Sequence, residues 1–213
     1  IIYVGGGVIS ARATDELTAF AEAMDIPVAH SLMGKGAMHE SHPLLLGMTG
    51  FWGTPIANDM CRTADVMLAV GTRLAEASSS SWDPRFTFAA PPTRVIHIDA
   101  DLAEIGRNLP TELGVTADAR LALGALVSVA RSRPHRARGR IRDIIREGRV
   151  SFSSQWASQW RSDQFPMRPE RILGELRAAL PEDGFVVTDV GWNKNGVAQQ
   201  FAITVPGTFV TPS

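Results

Sequence analysis

The chain has 213 residues and one cysteine, with 45% hydrophobic and 20% charged side chains and a formal net charge of −1. That balance excludes a disordered or fibrous chain, and Cys61, standing alone, excludes an internal disulfide and fits a reducing cytoplasm. No apolar run approaches the roughly 18 residues that span a bilayer, and the opening run lacks the basic leader of a secretory signal.

The first element is the short apolar strand "IIYV", which breaks into Gly5, Gly6 and Gly7. A helix follows, with apolar positions at Ala13, Leu17, Phe20, Ala21 and Met24, one stripe at helical period. Ser10 or Thr14 is placed to cap it, and Asp15 and Glu16 suit the positive end of its dipole. "IPVAHS" is the second strand and "GKGAM" a glycine turn, while "GTPIANDMCRTA" is a helix with Pro55 in its first turn. "DVMLAVGT" and "TRVIHIDAD" are apolar enough to be strands buried on both faces. "LGVTAD" is a shorter strand leading into a helix through "ARLALGALVSVA". Alternating strands and helices of this kind predict a doubly wound, mostly parallel α/β sheet over residues 1–130.

From Arg131 to Arg149 eight arginines face only Asp143 and Glu147. No aromatic residue is interleaved within the run, so it reads as a solvated linker with a helical portion rather than a nucleic-acid surface. "VSFSSQWASQWRSDQF" is expected to be helical, with Trp156 and Trp160 four residues apart. "RPERILGELRAALPEDGFVVTDVG" then opens a second α/β unit, with a helix carrying Ile172, Leu173, Leu176 and Leu180 and a strand ending near Gly191. The expected organisation is thus 1–130, a linker over 131–165, and a second unit from 166 to 213. The first residue is not Met and the last residues, "GTFVTPS", follow a strand-like run, which points to a piece of something longer.

Isolated residues carry modest expectations. His39 and His42 in "HESH" have no third ligand nearby and read as a loop-fixing pair rather than a metal site. His97, mid-strand, is expected to be structural. Cys61 is expected to be an unactivated helix residue. The turn "GGGVIS" lacks the G-x-G-x-x-G spacing; it either brings backbone N–H groups close to a phosphate or lets a helix pack against the sheet.

Four runs in order, "GKGAMHESHPLLLGMTGFWGTPIAND", "ADVMLAVGTRLAE", "RVIHIDADLAEIGRN" and "TADARLAL", resemble the central domain of thiamine diphosphate-dependent enzymes of the acetolactate synthase and 2-oxo acid decarboxylase type. "RPERILGELRAALPEDGFVVTDVGWNKNGVAQQF" resembles the start of their diphosphate-binding domain. The resemblance implies a parent enzyme that uses thiamine diphosphate and Mg2+ on a 2-oxo acid, assembles as a homodimer or homotetramer, and acts in the cytoplasm without membrane or nucleic acid as partner. It implies a site for FAD, or ADP, or nothing, lined by Gly5, Gly6, Gly7, Ser31, Leu32, Met33, Thr49, Gly50, Phe51, Trp52, Gly71, Thr72, Arg73, Asp99 and Asp118. After Arg73 the chain reads "LAEASSSSW", where flavin-binding relatives commonly carry acidic residues and a second arginine. Val190, Gly191, Trp192 and Asn193 fall where the family contacts the cofactor's diphosphate. No Gly-Asp-Gly motif for Mg2+ occurs in the chain, no catalytic residue or metal ligand is assigned, and these 213 residues alone are expected to be catalytically silent. A simple decarboxylase or dione hydrolase is the alternative within the family. A non-catalytic nucleotide-binding or interaction module is the alternative outside it.

Overall fold

A computed structural model describes residues 1–132 and 139–212. Its first unit is a six-stranded sheet, every neighbouring pair parallel, in the order β3-β2-β1-β4-β5-β6. The strands are β1 (Ile2–Val4), β2 (Val28–His30), β3 (Leu45–Met48), β4 (Val66–Val70), β5 (Arg94–Asp99) and β6 (Leu113–Thr116). Chain order reverses between β1 and β4, the switch point of a doubly wound sheet. The α/β expectation holds.

Alternation along the strands sends side chains to two faces. Ile2, Val4, Val28, Val70 and Ile98 pack against α2 (Thr14–Met24) and α4 (Ala119–Arg131). Tyr3, Ala29, Leu46, Met67, Ala69 and Val95 pack against Ala57 and Cys61 of α3 (Pro55–Arg62) and Ile145 of α5 (Ile141–Ser154). Local signals set the helix starts: Thr54 Oγ1 accepts from Ala57 N–H ahead of Pro55, and Asp118 Oδ1 accepts from Arg120 and Leu121 N–H at the head of α4.

The structure differs from the sequence reading at four places. The first helix is two helices, α1 (Gly6–Ser10) and α2, so Gly6 and Gly7 begin a helix rather than form a loop. Arg12 takes a left-handed φ of 53°, with Arg12 N–H donating to Ile9 O and Ala13 N–H to Val8 O, the paired bonds of a Schellman ending. Neither Ser10 nor Thr14 caps; Ala13 occupies the cap of α2. Second, "LLGM" is a strand, β3, whose Gly47 has φ 109° and whose pairing to β2 shifts register between Val28 and Ala29. Third, the helical portion expected in the arginine-rich stretch is α5, from Ile141, but it is packed on the sheet's second face through Ile145 rather than solvated all round. Arg133, His135, Arg136 and Arg138 of that stretch lie outside the described residues. Fourth, helix beyond Ser154 is confined to α6 (Ala157–Trp160), leaving residues 161–165 non-helical.

The second unit contains α7 (Pro169–Ala179), β7 (Val186–Val187), α8 (Trp192–Gln200) and β8 (Phe209–Val210). β7 and β8 pair in parallel, and Leu173, Val186, Val197, Phe201 and Ile203 form a small core. The strand is shorter than expected: its ladder pairs only Val186 and Val187, and a last bond from Thr188 N–H to Val210 O closes it.

Candidate functional site

The residues that the family resemblance implicates stand at the carboxyl ends of the sheet strands. Gly5–Gly7 follow β1, Ser31–Met33 follow β2, Thr49–Trp52 follow β3, Gly71–Arg73 follow β4, Asp99 ends β5, and Asp118 follows β6. Doubly wound sheets place their ligands at this edge, in the crevice at the switch point.

Here that point is occupied by the chain itself. Gly5 N–H donates to Val70 O at 3.1 Å and Gly7 N–H to Gly71 O at 3.0 Å. A Cβ on Gly5 would sit on Gly71 O and 2.7 Å from Thr72 Cα, and one on Gly7 would lie 2.7 Å from Gly71 Cα. Gly71, with φ 56°, is held as closely against Gly7. Gly5, Gly7 and Gly71 are therefore required by backbone-to-backbone packing between the two switch-point loops. Gly6 differs, its nearest neighbour being Met33 Cβ at 3.2 Å.

The other loops are similarly tied. Ser31 N–H donates to Val4 O and Ser31 Oγ accepts from Gly34 N–H, while Leu32 begins a short 3-10 turn through Gly34. Thr49 Oγ1 donates to Ser78 O at 2.9 Å. Gly50 exchanges two hydrogen bonds with the Asn58 amide, at 2.9 and 3.0 Å, and Phe51 N–H donates to Ala77 O, so the 49–52 loop is sewn to the serine-rich loop after Arg73. Thr72 O accepts from His97 Nε2 at 2.9 Å, which makes His97 the structural residue expected, although its buried Nδ1 has no partner among the described residues. Arg73 lies 3.6 Å from Glu104 and its carbonyl accepts from Asn108. Asp99 Oδ1 accepts from Asp101 N–H, and Asp118 is spent on capping α4. The exposed members are Met33, Phe51, Trp52, Asp118 and the Arg73 side chain.

A polar network not marked by any motif lies under the β2–β3 connection. Lys35 is buried and its Nζ donates to Glu40 Oε2 at 3.0 Å. Arg149, from α5, donates to the carbonyls of Glu40, His42 and Leu45. Burial first, and then the Lys35 charge, push His30 down to about 4. Its Nδ1 faces Ser31 O at 2.8 Å, and a carbonyl only accepts, so the proton sits on Nδ1. Burial pushes the Glu40 carboxyl up, but Lys35, His30 and Arg149 outweigh it and leave it lowered. Lys35 between two glycines was the available sequence signal; its partner and Arg149 had none.

The histidine pair fixes its loop, as expected. His39 Nδ1 accepts from Ser41 N–H, and His42 Nε2 meets Glu22 Oε1 at 3.2 Å. Among the described residues no group of three or more His, Cys, Asp or Glu could hold a metal ion. Cys61 is buried in α3 and burial pushes its thiol up to about 12, so it is inert.

The last implicated residues stand at the head of α8. Gly191 has φ 127°, and a Cβ there would meet nothing nearer than Asn193 Oδ1 at 3.7 Å. Val190 is exposed and its N–H donates to Asp189 Oδ1, while Asn193 Oδ1 accepts from Lys194 N–H. Trp192 folds along its own helix, since a Cβ on Gly196 would come within 2.7 Å of its ring. The helix start has no side-chain cap.

Residues 1–126 match the family model of the thiamine pyrophosphate enzyme central domain. The chain belongs to the thiamine pyrophosphate enzyme family. Among its curated relatives, a probable acetolactate synthase large subunit of Methanococcus aeolicus is 32% identical over 99% of this chain and 36% of its own length. An acetolactate synthase large subunit of Corynebacterium glutamicum is 41% identical over 99% of this chain and 33% of its own. A glyoxylate carboligase of Escherichia coli O157:H7 is 29% identical over 95% of this chain and 34% of its own. The chain thus spans about a third of the length of these relatives.

The two cofactor regions implied by this family differ in fit. At the switch point the room beside Gly5 and Gly7 is filled by Gly71 and Thr72, and the Gly7 N–H is already bonded; the turn does not fit the diphosphate of FAD or ADP. At Gly191 the backbone is open to close approach and heads an uncapped helix of nine residues, which fits the diphosphate of thiamine diphosphate.

Proposed function

We propose that the chain is the framework segment of a thiamine diphosphate-dependent enzyme that joins 2-oxo acids, carrying one edge of the cofactor's diphosphate site. The observation that supports this most is the open Gly191 turn at the head of α8, in the same chain as the family's central domain. When bound, thiamine diphosphate supplies a carbon nucleophile and an electron sink for loss of carbon dioxide. The chain's own share is positional. The Gly191–Asn193 backbone, beyond the Val190 N–H that Asp189 Oδ1 already accepts, holds phosphate oxygens, and the contact of Gln199 Nε2 with Trp52 O at 2.7 Å ties α8 to the loop after β3.

Relatives named as a synthase and a carboligase favour bond formation over plain decarboxylation as the overall reaction. Mg2+ belongs to this reading as the diphosphate's counter-ion, held by residues beyond this segment. So does a second copy of the longer protein as partner. No role is assigned to FAD, because the glycine turn is committed to packing.

The segment itself supplies neither a metal cluster among its described residues nor a Gly-Asp-Gly motif. The 213-residue chain incubated with thiamine diphosphate, Mg2+ and pyruvate is therefore expected to release no carbon dioxide above a protein-free control. Steady release proportional to chain concentration would contradict the framework role.

A further inference from the structure

Trp192 is the first residue of α8, next to the open Gly191 turn. Helical side chains lean towards the N terminus of their own helix, and from the first turn that direction leads back over Gly191. The Trp192 ring lies the other way. A Cβ on Gly196, one turn further on, would stand 2.7, 2.8 and 3.0 Å from its Cη2, Cζ3 and Cζ2 atoms, so the ring rests there on bare backbone.

Gly196 has no conformational reason to be glycine. It lies inside α8, away from both ends, and its φ is not positive. Within a helix glycine costs about 1 kcal/mol relative to alanine. What it supplies at this position is the room that the ring occupies. The helix itself is held: Gln199 Nε2 bonds Trp52 O, Trp160 Nε1 bonds Gln200 Oε1, and Val197 belongs to the small core. Trp192 is 42% exposed and its ring is the far end of a flexible side chain. If the space at 196 is filled, the ring moves and the helix stays.

We propose that Gly196 is a positioning residue for the diphosphate site: it seats the Trp192 ring along α8 and so keeps the Gly191 turn clear for phosphate oxygens. The role rests on the thiamine diphosphate reading of that turn, whereas the seat itself does not. A methyl group at 196 would unseat the ring, and the ordinary lean of a helical side chain would carry it over the N–H groups that head α8. Affinity would then fall because of a ring four residues away. Gly196 needs no contact with the cofactor for this.

Two measurements on the protein encoded by the whole reading frame test this. The first is the emission of Trp192 without ligand, taken in each case by difference from the same protein carrying Trp192→Phe. In Gly196→Ala it is expected to shift to the red and to be quenched more by acrylamide. The second is calorimetric titration with thiamine diphosphate in the presence of Mg2+. Gly196→Ala is expected to bind about tenfold more weakly, and Gly196→Ala combined with Trp192→Ala to recover most of that loss. A helix merely damaged at 196 would not recover when a second side chain is cut away. Unchanged affinity in Gly196→Ala, or a double variant as weak as the single one, would overturn the role. Unshifted Trp192 emission would overturn the seat and the role together. Failure of the unaltered protein to bind the cofactor is a separate result: it would overturn the cofactor reading, and this role with it, whatever the emission shows.

Discussion

Gly5→Ala is expected to destabilise the chain by about 3 kcal/mol or more, whereas Gly6→Ala, one residue on, costs less than about 1 kcal/mol. The difference comes from what each new methyl would meet. At Gly5 it would overlap Gly71 O and approach Thr72 Cα and Cβ at 2.7 and 2.8 Å. Those atoms belong to the turn just past β4, held by Gly71 N–H to Ile98 O, Gly7 N–H to Gly71 O and His97 Nε2 to Thr72 O, and cannot yield without breaking those bonds. Gly5 has φ −110°, which any residue adopts, so the cost is steric and not conformational. At Gly6 the methyl would meet Met33 Cβ and O at 3.2 and 3.3 Å, a contact relieved by a shift of a few tenths of an ångström. Alanine's better helix propensity offsets part of what remains. Urea unfolding of both variants reads the contrast directly. Equal and small losses at the two positions would show that the switch-point loops are not packed as described.

Acidification is the second large effect. His30 takes its proton near the ordinary value of 6.5 when unfolded but only at about 4 when folded, because it is buried and faces Lys35. Between those values the unfolded chain binds the extra proton and the folded chain does not, so stability falls as pH is lowered through this window. A shift of this size corresponds to about 3 kcal/mol, fully present above pH 6.5 and lost by about pH 4. Glu40 acts in the same direction at lower pH: its lowered carboxyl contributes stability above the ordinary carboxylate range that disappears as the group is protonated. Denaturant unfolding at pH 7, 5.5 and 4.5 should show the loss. His30→Asn retains a donor towards Ser31 O and should flatten the profile between pH 6.5 and 4. An unchanged slope in the variant would remove His30 as the cause.

Sequence alone revealed the sheet where apolar runs were continuous. β4 and β5 are legible in "DVMLAVGT" and "TRVIHIDAD" because a strand buried on both faces needs no alternation. It failed where the backbone does something without its usual residue. The break between α1 and α2 rests on a left-handed Arg12, a position normally marked by glycine or asparagine. β3 was hidden because Gly47, at φ 109°, reads as a turn. Family resemblance placed the implicated residues at one edge of the sheet, but their use depends on long-range contacts. That Gly7 bonds Gly71, and that Phe51 bonds Ala77, follows from how strands far apart in sequence come to lie together. The tie between α6 and α8 was illegible for the same reason, since Trp160 bonds Gln200 only once the two helices are packed.

The central claim is that this segment serves a thiamine diphosphate enzyme as framework and as one edge of the diphosphate site. It is tested most directly on the protein encoded by the whole reading frame that carries these residues, supplied with pyruvate and Mg2+ with and without thiamine diphosphate. The expected result is carbon dioxide release with a carbon–carbon-joined product, seen only with the cofactor, and requiring a several-fold higher cofactor concentration when Gly191, with its φ of 127°, is replaced by valine. Cofactor-independent turnover, or full cofactor affinity in Gly191→Val, would contradict it.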